Sequence, residues 1–184
     1  YRVASDATVP VVTSIVRAAP SPTSSTLVTF TVTFSEAVNG VDLSDFALTT
    51  TGSVTGAFLT SVAGSGATRT VTVNRGTGRG TIRLDVLDND TITDAAGNPL
   101  GGIGTGGTYT AGAAYDVYGP VAIGTASLPG GTYGVAYSQS LVTSDGLAPF
   151  AWSVTFQSVP PGLTLATNGS ITGTPTAAST FIFS

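Results

Sequence analysis

The sequence predicts an all-β protein built from two tandem antiparallel β-sandwiches. Hydrophobic residues make up 41% of the chain and charged residues only 9%. The apolar positions, mostly Val, Leu, Ile and Ala, are interleaved with Thr and Ser, a mixture that favours strands over helices. The 24 glycines and 10 prolines are spread along the chain, which is typical of many short turns. A chain of 184 residues is long enough to bury two small cores.

The first half of the chain carries the clearest strand patterns. Within residues 26–38, apolar side chains alternate with threonines, so one face of the strand is apolar and the other is polar. The apolar set is Val28, Phe30, Val32 and Phe34. Shorter alternating runs follow at residues 71–73 and 82–86, separated by turn segments at residues 64–66 and 74–80. This spacing indicates an antiparallel sandwich.

A domain boundary is predicted near Gly119-Pro120, because this dipeptide interrupts strand pairing. We expect one domain over residues 1–116, with an N-terminal linker strand, and a second domain over residues 117–184.

The second domain has its own strand and turn signals. Residues 150–156 alternate between apolar and polar side chains, which predicts a strand. Trp152 is expected at the centre of this domain's core. Asn168-Gly169 is predicted to form the two-residue turn between the strands that hold Leu165 and Ile171.

The missing residue types exclude several kinds of chemistry. The chain has no Cys, His or Met, and all six of its basic residues are arginines. It therefore cannot form a Ser-His-Asp triad, a Cys-His pair or an ordinary zinc site, and it has no lysine for a Schiff base. We expect a protein without enzyme activity and without a required cofactor.

Charge and hydropathy argue against some classes of binding partner. The net charge of −4 argues against binding to nucleic acid or to an anionic membrane. No apolar run approaches the roughly 20 residues of a membrane span. The start, Tyr1 to Ser5, does not have the pattern of a signal peptide, so we expect a mature protein or an internal fragment.

The last third of the chain carries the most specific motifs. They read LPGGTYGVAYSQSL from Leu128, APFAWSV from Ala148, and VPPGLTLATNGSITGTPTAASTF from Val159. This series resembles the He-PIG type of Ig-like repeat found in large bacterial surface proteins, over about residues 121–184. In that pattern the first motif leads into a strand, the second carries a core aromatic residue and the third sets two turns.

The first half of the chain resembles a second repeat family, the bacterial Ig-like domain, over about residues 11–114. The motifs are FSEAV from Phe34, VDLSDF from Val41 and TDAAGN from Thr93. In that family they correspond to a strand end, a short following segment and a turn before the closing strand.

Both resemblances imply Ig-like sandwiches and a structural role. The implied protein is a non-catalytic structural or adhesive module of a secreted bacterial cell-surface or filament protein. It would act as a rigid spacer or as a self-assembling subunit, with neighbouring Ig-like domains as partners. A He-PIG-type repeat continues beyond the turn at residues 173–176, so the second sandwich is expected to be incomplete. Either the sequence is cut short there or another chain adds the missing strand at the domain edge.

Acidic and amide side chains between two predicted strands suggest a calcium site. Calcium binds about 6–8 oxygen ligands, and the first candidates are Asp88, Asp90, Asp94 and Asn98. Glu36 and Asp6 are further candidates. The alternative is that these side chains end strands and bond their own backbone in Asx-turns.

Four arginines lie close together around a predicted hairpin. They are Arg69, Arg75, Arg79 and Arg83. They could bind anions or acidic glycans, but we expect a solvated edge that discourages aggregation and pairs with Asp85 or Asp88.

An alternative function is a carbohydrate- or ligand-binding accessory module of an adhesin or a secreted hydrolase. Such a module needs exposed aromatic side chains, and the candidates are Tyr115, Tyr118 and Tyr133. Thr-rich strand faces could also carry glycans.

Overall fold

The computed structural model describes residues 6–184, so the features predicted for Tyr1 to Ser5 lie outside the described residues. Within this range the regular elements are twelve β-strands and two short 3₁₀ helices, Leu43–Asp45 and Thr105–Gly107. Every pairing between these strands is antiparallel. The prediction of an all-β chain with antiparallel sheets is confirmed. No helix in residues 6–184 is long and apolar enough to cross a membrane.

The chain divides into two compact units, one ending at Gly119 and the other spanning Pro120–Ser184. The first unit contains seven strands in two sheets. Their bounds are β1 Val12–Arg17, β2 Leu27–Phe34, β3 Phe46–Thr50, β4 Phe58–Ala63, β5 Thr68–Asn74, β6 Gly80–Val86 and β7 Ala114–Val117. One sheet has the order β1-β2-β5-β4 and the other has the order β3-β6-β7.

The core of the first unit follows from the alternation in the sequence. In β2 every second residue from Val28 to Phe34 is buried, and the threonines between them are only half-buried. β5 pairs with β2 so that Val71 lies opposite Phe30, which places the apolar sides of both strands on one face. Side chains of both sheets form a single core cluster. Phe30 of β2 contacts Tyr115 of β7 edge to face, with ring centroids 5.1 Å apart.

The first unit extends past the boundary predicted at residue 116. Val117 is the last residue of β7, its side chain is fully buried, and it pairs with Gly80 of β6. The division between the units falls at the Gly119-Pro120 step.

The second unit contains five short strands. They are β8 Ala122–Ile123, β9 Tyr137–Ser140, β10 Thr143–Ser144, β11 Leu163–Leu165 and β12 Ser170–Gly173. One sheet has the order β11-β12-β9, and β8 pairs with β10. A tight turn connects the strands as expected, since Leu165 lies opposite Ile171, but its central residues are Thr167 and Asn168 instead of Asn168 and Gly169. The Gly169 amide donates to the Ala166 carbonyl at 2.9 Å, and Gly169, with a φ of +89°, follows the turn.

The apolar residues of the second unit are packed less completely than expected. Trp152 is half-buried rather than central, and residues 150–156 do not form a regular strand. The reason is a shortage of backbone partners for that segment. The Trp152 amide donates to the Thr167 carbonyl, and hydrogen bonds to Ser184 begin only at Thr155. Trp152 lines a cavity of about 440 Å³ together with Leu141 and other apolar side chains.

The shared core of the first unit can be tested at Phe30. Phe30→Ala should lower the free energy of unfolding by about 3–5 kcal/mol, because it leaves a cavity between the sheets. Leu27→Ala in the same strand is the matched control, since Leu27 is 49% exposed and its truncation should cost about 0.5 kcal/mol or less. Denaturant unfolding followed by circular dichroism measures both. Equal losses in the two variants would contradict a common core centred on Phe30.

Candidate functional site

Three carboxylates converge at the end of the first unit where β2 stops. Asp6, Glu36 and Asp94 each place an oxygen within 4.8 Å of the others. Glu36 lies two residues after β2, and Asp94 lies in the segment between β6 and β7. The two segments are held together by reciprocal backbone hydrogen bonds between Asn39 and Thr93, at 2.7 and 3.1 Å.

Asp94 is buried, and its carboxylate organises the turn that follows it. One oxygen accepts hydrogen bonds from the Ala96 and Asn98 amides, both at 2.8 Å, and the other accepts from Asn98 Nδ2 at 2.7 Å. The same Nδ2 donates to the carbonyls of Asp6 and Thr8, so the turn also fixes the N-terminal segment. The side-chain bond from Asn98 is the main reason that the pKa of Asp94 is lowered, and the backbone bonds of the turn add to it.

Glu36 has the opposite electrostatics. Partial burial raises the pKa of its carboxyl group, and repulsion from Asp94 and then from Asp6 raises it further. A proton or a cation on this cluster would relieve that repulsion. The three groups together could therefore hold a hard cation such as calcium.

The structure does not bring all the first calcium candidates together. Asp88 accepts hydrogen bonds from the Asp90 amide at 3.1 Å and the Gly107 amide at 2.7 Å. Asp90 accepts from the Gly104 amide with both oxygens. These two carboxylates thus serve backbone groups of the loop, as in the Asx-turn alternative. Among residues 6–184, the acidic group that meets the geometry of a cation site combines Asp94 with the two further candidates instead.

The tyrosine prediction needs one correction. Tyr115 is 1% exposed, because its inward position in β7 places its ring against Phe30. Its hydroxyl donates to the Thr29 carbonyl and accepts from the Ala19 amide, both at 2.9 Å. It is therefore not an exposed aromatic residue. Tyr118 is half-buried and Tyr133, in the second unit, is 66% exposed.

The arginine prediction is right for only part of the group. Arg83 pairs with Asp85 through its Nε at 2.7 Å, and this bond is the main reason that the pKa of Arg83 is raised. Arg69 and Arg75 are buried instead of solvated, at 6% and 7% exposure. The signal was present in the sequence, because residues 69, 71, 73 and 75 share the parity of the apolar side of β5.

The pH dependence of stability should have two opposite parts at the acidic cluster. The ionised form of Asp94 stabilises the fold above its ordinary pKa of 3.8, and this contribution is lost as the pH falls through the lowered value. The contribution of Glu36 is complete below its ordinary pKa of 4.5 and is lost as the pH rises through the raised value. We expect thermal unfolding, measured between about pH 2 and pH 8, to show both losses of stability in the wild type. The loss at low pH should be absent in Asp94→Asn, and the loss at higher pH should be absent in Glu36→Gln. Unchanged profiles in both variants would rule out these assignments.

The calcium prediction has a direct test at neutral pH. Calcium at about 1 mM should raise the melting temperature of the wild-type chain, and a chelator should reverse the rise. Glu36→Gln removes one ligand and should weaken the response. Asp90→Asn changes a candidate outside the cluster and should leave the response intact. If neither calcium nor a chelator changes the melting temperature of the wild-type chain, the cluster does not bind calcium.

Comparisons with known proteins assign no family to the chain. No protein-family model matches it, and no curated protein matches it. A similar solved structure is the crystal structure of the N-terminal part of the bacterial S-layer protein SbsC, with 19% identity over 89% of this chain and a TM-score of 0.35. The chain spans 37% of the length of that structure. A similarity at this level establishes neither a family nor a function.

Proposed function

We propose that the chain is a non-catalytic structural module of a secreted bacterial surface or filament protein. In this proposal the two units are tandem Ig-like β-sandwiches that act as a rigid spacer between neighbouring domains. The antiparallel sheets and the single core shared by both sheets of the first unit support the proposal. The observation that carries it is the way in which the first and last segments of that unit are joined.

The segment that begins with β1 and the segment that contains β7 run side by side and in the same direction. Their backbones pair in parallel at Thr23 and Val117. The Thr23 amide donates to the Asp116 carbonyl at 2.9 Å, and the Tyr118 amide donates to the Thr23 carbonyl at 3.1 Å. Further bonds along the same seam are Ala113 N to Ile15 O, Arg17 Nη1 to Ala114 O, Ala19 N to Tyr115 Oη and Asp116 N to Ser21 Oγ. We call these bonds the terminal seam.

The parallel direction of the terminal seam determines how a pulling force would act on it. The chain enters the unit at one end of the seam and leaves at the other end. Tension between the two ends therefore loads all the seam bonds in shear at the same time. An antiparallel hairpin pulled from its open end would instead lose its bonds one after another. A simultaneous load is what a spacer under tension requires.

Tyr115 connects the terminal seam to the core. Its hydroxyl accepts from Ala19 of the first segment and donates to Thr29 of β2, and its ring packs on Phe30. Arg17 places its guanidinium carbon 6.0 Å from the centre of the Tyr115 ring. Sliding of the two segments would break these contacts together with the seam.

The proposed association with other chains concerns the second unit. β9 and β11 are the outer strands of their sheet, and each pairs on one side only among the described strands. Apolar side chains nearby are exposed, including Val135 at 55% and Val142 at 56%. Unpaired strand edges beside apolar surface favour strand addition by a second chain.

The mechanical role can be tested by stretching the full chain between its two termini. Unfolding of the first unit should release up to about 400 Å and that of the second up to about 220 Å of chain, so the two events can be assigned by length. Tyr115→Phe should lower the force of the long event and reduce stability by about 1–3 kcal/mol, because it leaves the Ala19 amide and the Thr29 carbonyl without their partner.

The matched control for this experiment is Tyr133→Phe, which removes the hydroxyl of an exposed tyrosine in the second unit. It should leave the force of the long event unchanged. If Tyr115→Phe reduces equilibrium stability but not the force of the long event, the terminal seam does not carry the load and the spacer proposal loses its support.

A further inference from the structure

Residues 177–183 of the second unit, called here the edge stretch, have a backbone without partners. None of their amide or carbonyl groups forms a hydrogen bond within residues 6–184. The residues on either side do bond, since the Thr176 amide donates to the Pro161 carbonyl at 3.0 Å and the Ser184 amide donates to the Phe156 carbonyl at 3.2 Å. The edge stretch therefore presents a continuous run of backbone donors and acceptors that another strand could pair with.

The edge stretch also borders two apolar cavities, and its side chains alternate between cavity and solvent. Phe181 and Phe183 line both cavities, which have volumes of about 440 and 320 Å³, whereas Ile182 between them is 73% exposed. Ala177 and Ser179 line the smaller cavity. Protein interiors rarely contain voids larger than a water molecule. This side of the unit therefore lacks apolar atoms that a packed core would have.

The edge stretch carries none of the features that protect a strand edge. It reads AASTFIF and contains no charged residue, no proline and no glycine. Natural edges are usually protected from association by a charge, a proline or a bulge. Its surroundings add little repulsion, because Asp145 is the only charged side chain in residues 120–184. An uncharged strand is therefore the partner that fits, since a charged one would lose the hydration of its charges.

The edge stretch is complementary in volume to itself when two copies run antiparallel. Residues 177–179 are small, Ala-Ala-Ser, and residues 181–183 are large, Phe-Ile-Phe. When Thr180 of one copy lies opposite Thr180 of the other, each large side chain faces a small one. A parallel pairing in register would instead place large on large and small on small. Large side chains facing small ones are the arrangement that fills a core.

We propose that the edge stretch pairs antiparallel with the edge stretch of a second copy, across a two-fold axis at Thr180. The unpartnered backbone groups then form a ladder, and the phenyl rings of each copy pack beside Ala177 and Ser179 of the other, where the smaller cavity lies. The chain bends at Ser179 in the single copy, and straightening it breaks no hydrogen bond of the edge stretch. This inference rests on the proposed association of the second unit with other chains and specifies its place and its partner.

Cysteine cross-linking of the full chain tests the axis, because the chain has no cysteine of its own. Thr180→Cys should give a disulfide-linked dimer under mild oxidation. Opposite residues of an antiparallel pair have Cα atoms about 4.5–5.5 Å apart, within the range of about 4.4–6.8 Å that a disulfide spans. Ala178→Cys is the matched control, since its two copies would lie about 13 Å apart along the strands and should not cross-link.

Sedimentation of the full chain tests the dimer without cross-linking. The wild type should shift from monomer to dimer as its concentration rises to about 100 μM. Ile182→Glu should weaken the dimer about 100-fold or more, because it introduces two carboxylates into an uncharged interface. Ile103→Glu is the control, since Ile103 is 93% exposed and belongs to the first unit. It should leave the dimer as strong as in the wild type.

The other outcomes overturn the proposal in distinguishable ways. A wild type that stays monomeric excludes the dimer, and growth into larger species excludes a closed two-fold pairing. Ala178→Cys cross-linking as readily as Thr180→Cys excludes the antiparallel register, and equal weakening by Ile103→Glu indicates non-specific association. If Val142→Glu abolishes association and Ile182→Glu does not, the contact lies beside β9, so the proposed association stands and this interface does not. The spacer role is tested separately by stretching the first unit.

Discussion

The first unit depends on one constraint: each of its principal strands has a single apolar face. A strand such as β2, with threonine at every second position, can bury only one side. A second sheet must therefore cover that side, and this second sheet is formed by β3, β6 and β7. The Phe30 and Tyr115 rings meet where the two sheets face each other. The same requirement brings the last strand beside the first segment of the chain, and so produces the terminal seam.

Residues whose environment is set by their own strand were predicted well. The alternation in β2, β5 and β6 is a local property, and the buried faces follow it. The turn at residues 166–169 is equally local, although Gly169 follows its two central residues instead of being one of them. Tyr115 was misjudged because aromatic composition was considered without strand parity, although its neighbour Val117 points to the same buried side. Trp152 was misjudged because burial of a strand requires partners, and its backbone finds few of them.

The acidic cluster could not be predicted from spacing alone. Asp88, Asp90 and Asp94 are close in sequence, but local hydrogen bonds turn the first two towards the loop at residues 104–107. Asp6 and Glu36 are far from Asp94 in sequence and reach it only through tertiary contacts, namely the Asn39–Thr93 bridge and the bonds from Asn98. Neither contact can be inferred from a short stretch of sequence. Only the folded structure shows that Asp94 lies beside Asp6 and Glu36 instead of Asp88 and Asp90.

Charged groups are few in the first unit, and its negative and positive charges are separated towards opposite ends. Most of its charged groups are already engaged, since Arg69 binds carbonyls, Asp88 and Asp90 bind amides, and Arg83 pairs with Asp85. Two other charged residues lie at opposite ends of β2: Glu36 comes two residues after its last residue, whereas the Arg75 amide donates to the Thr26 carbonyl just before its first. Eight residues of extended strand separate these ends by about 27 Å, a distance at which two unit charges interact only weakly even at the effective dielectric constant of a protein, about 20. The excess negative charge where the chain enters and the unpaired positive charge where it leaves therefore cannot neutralise each other within one unit.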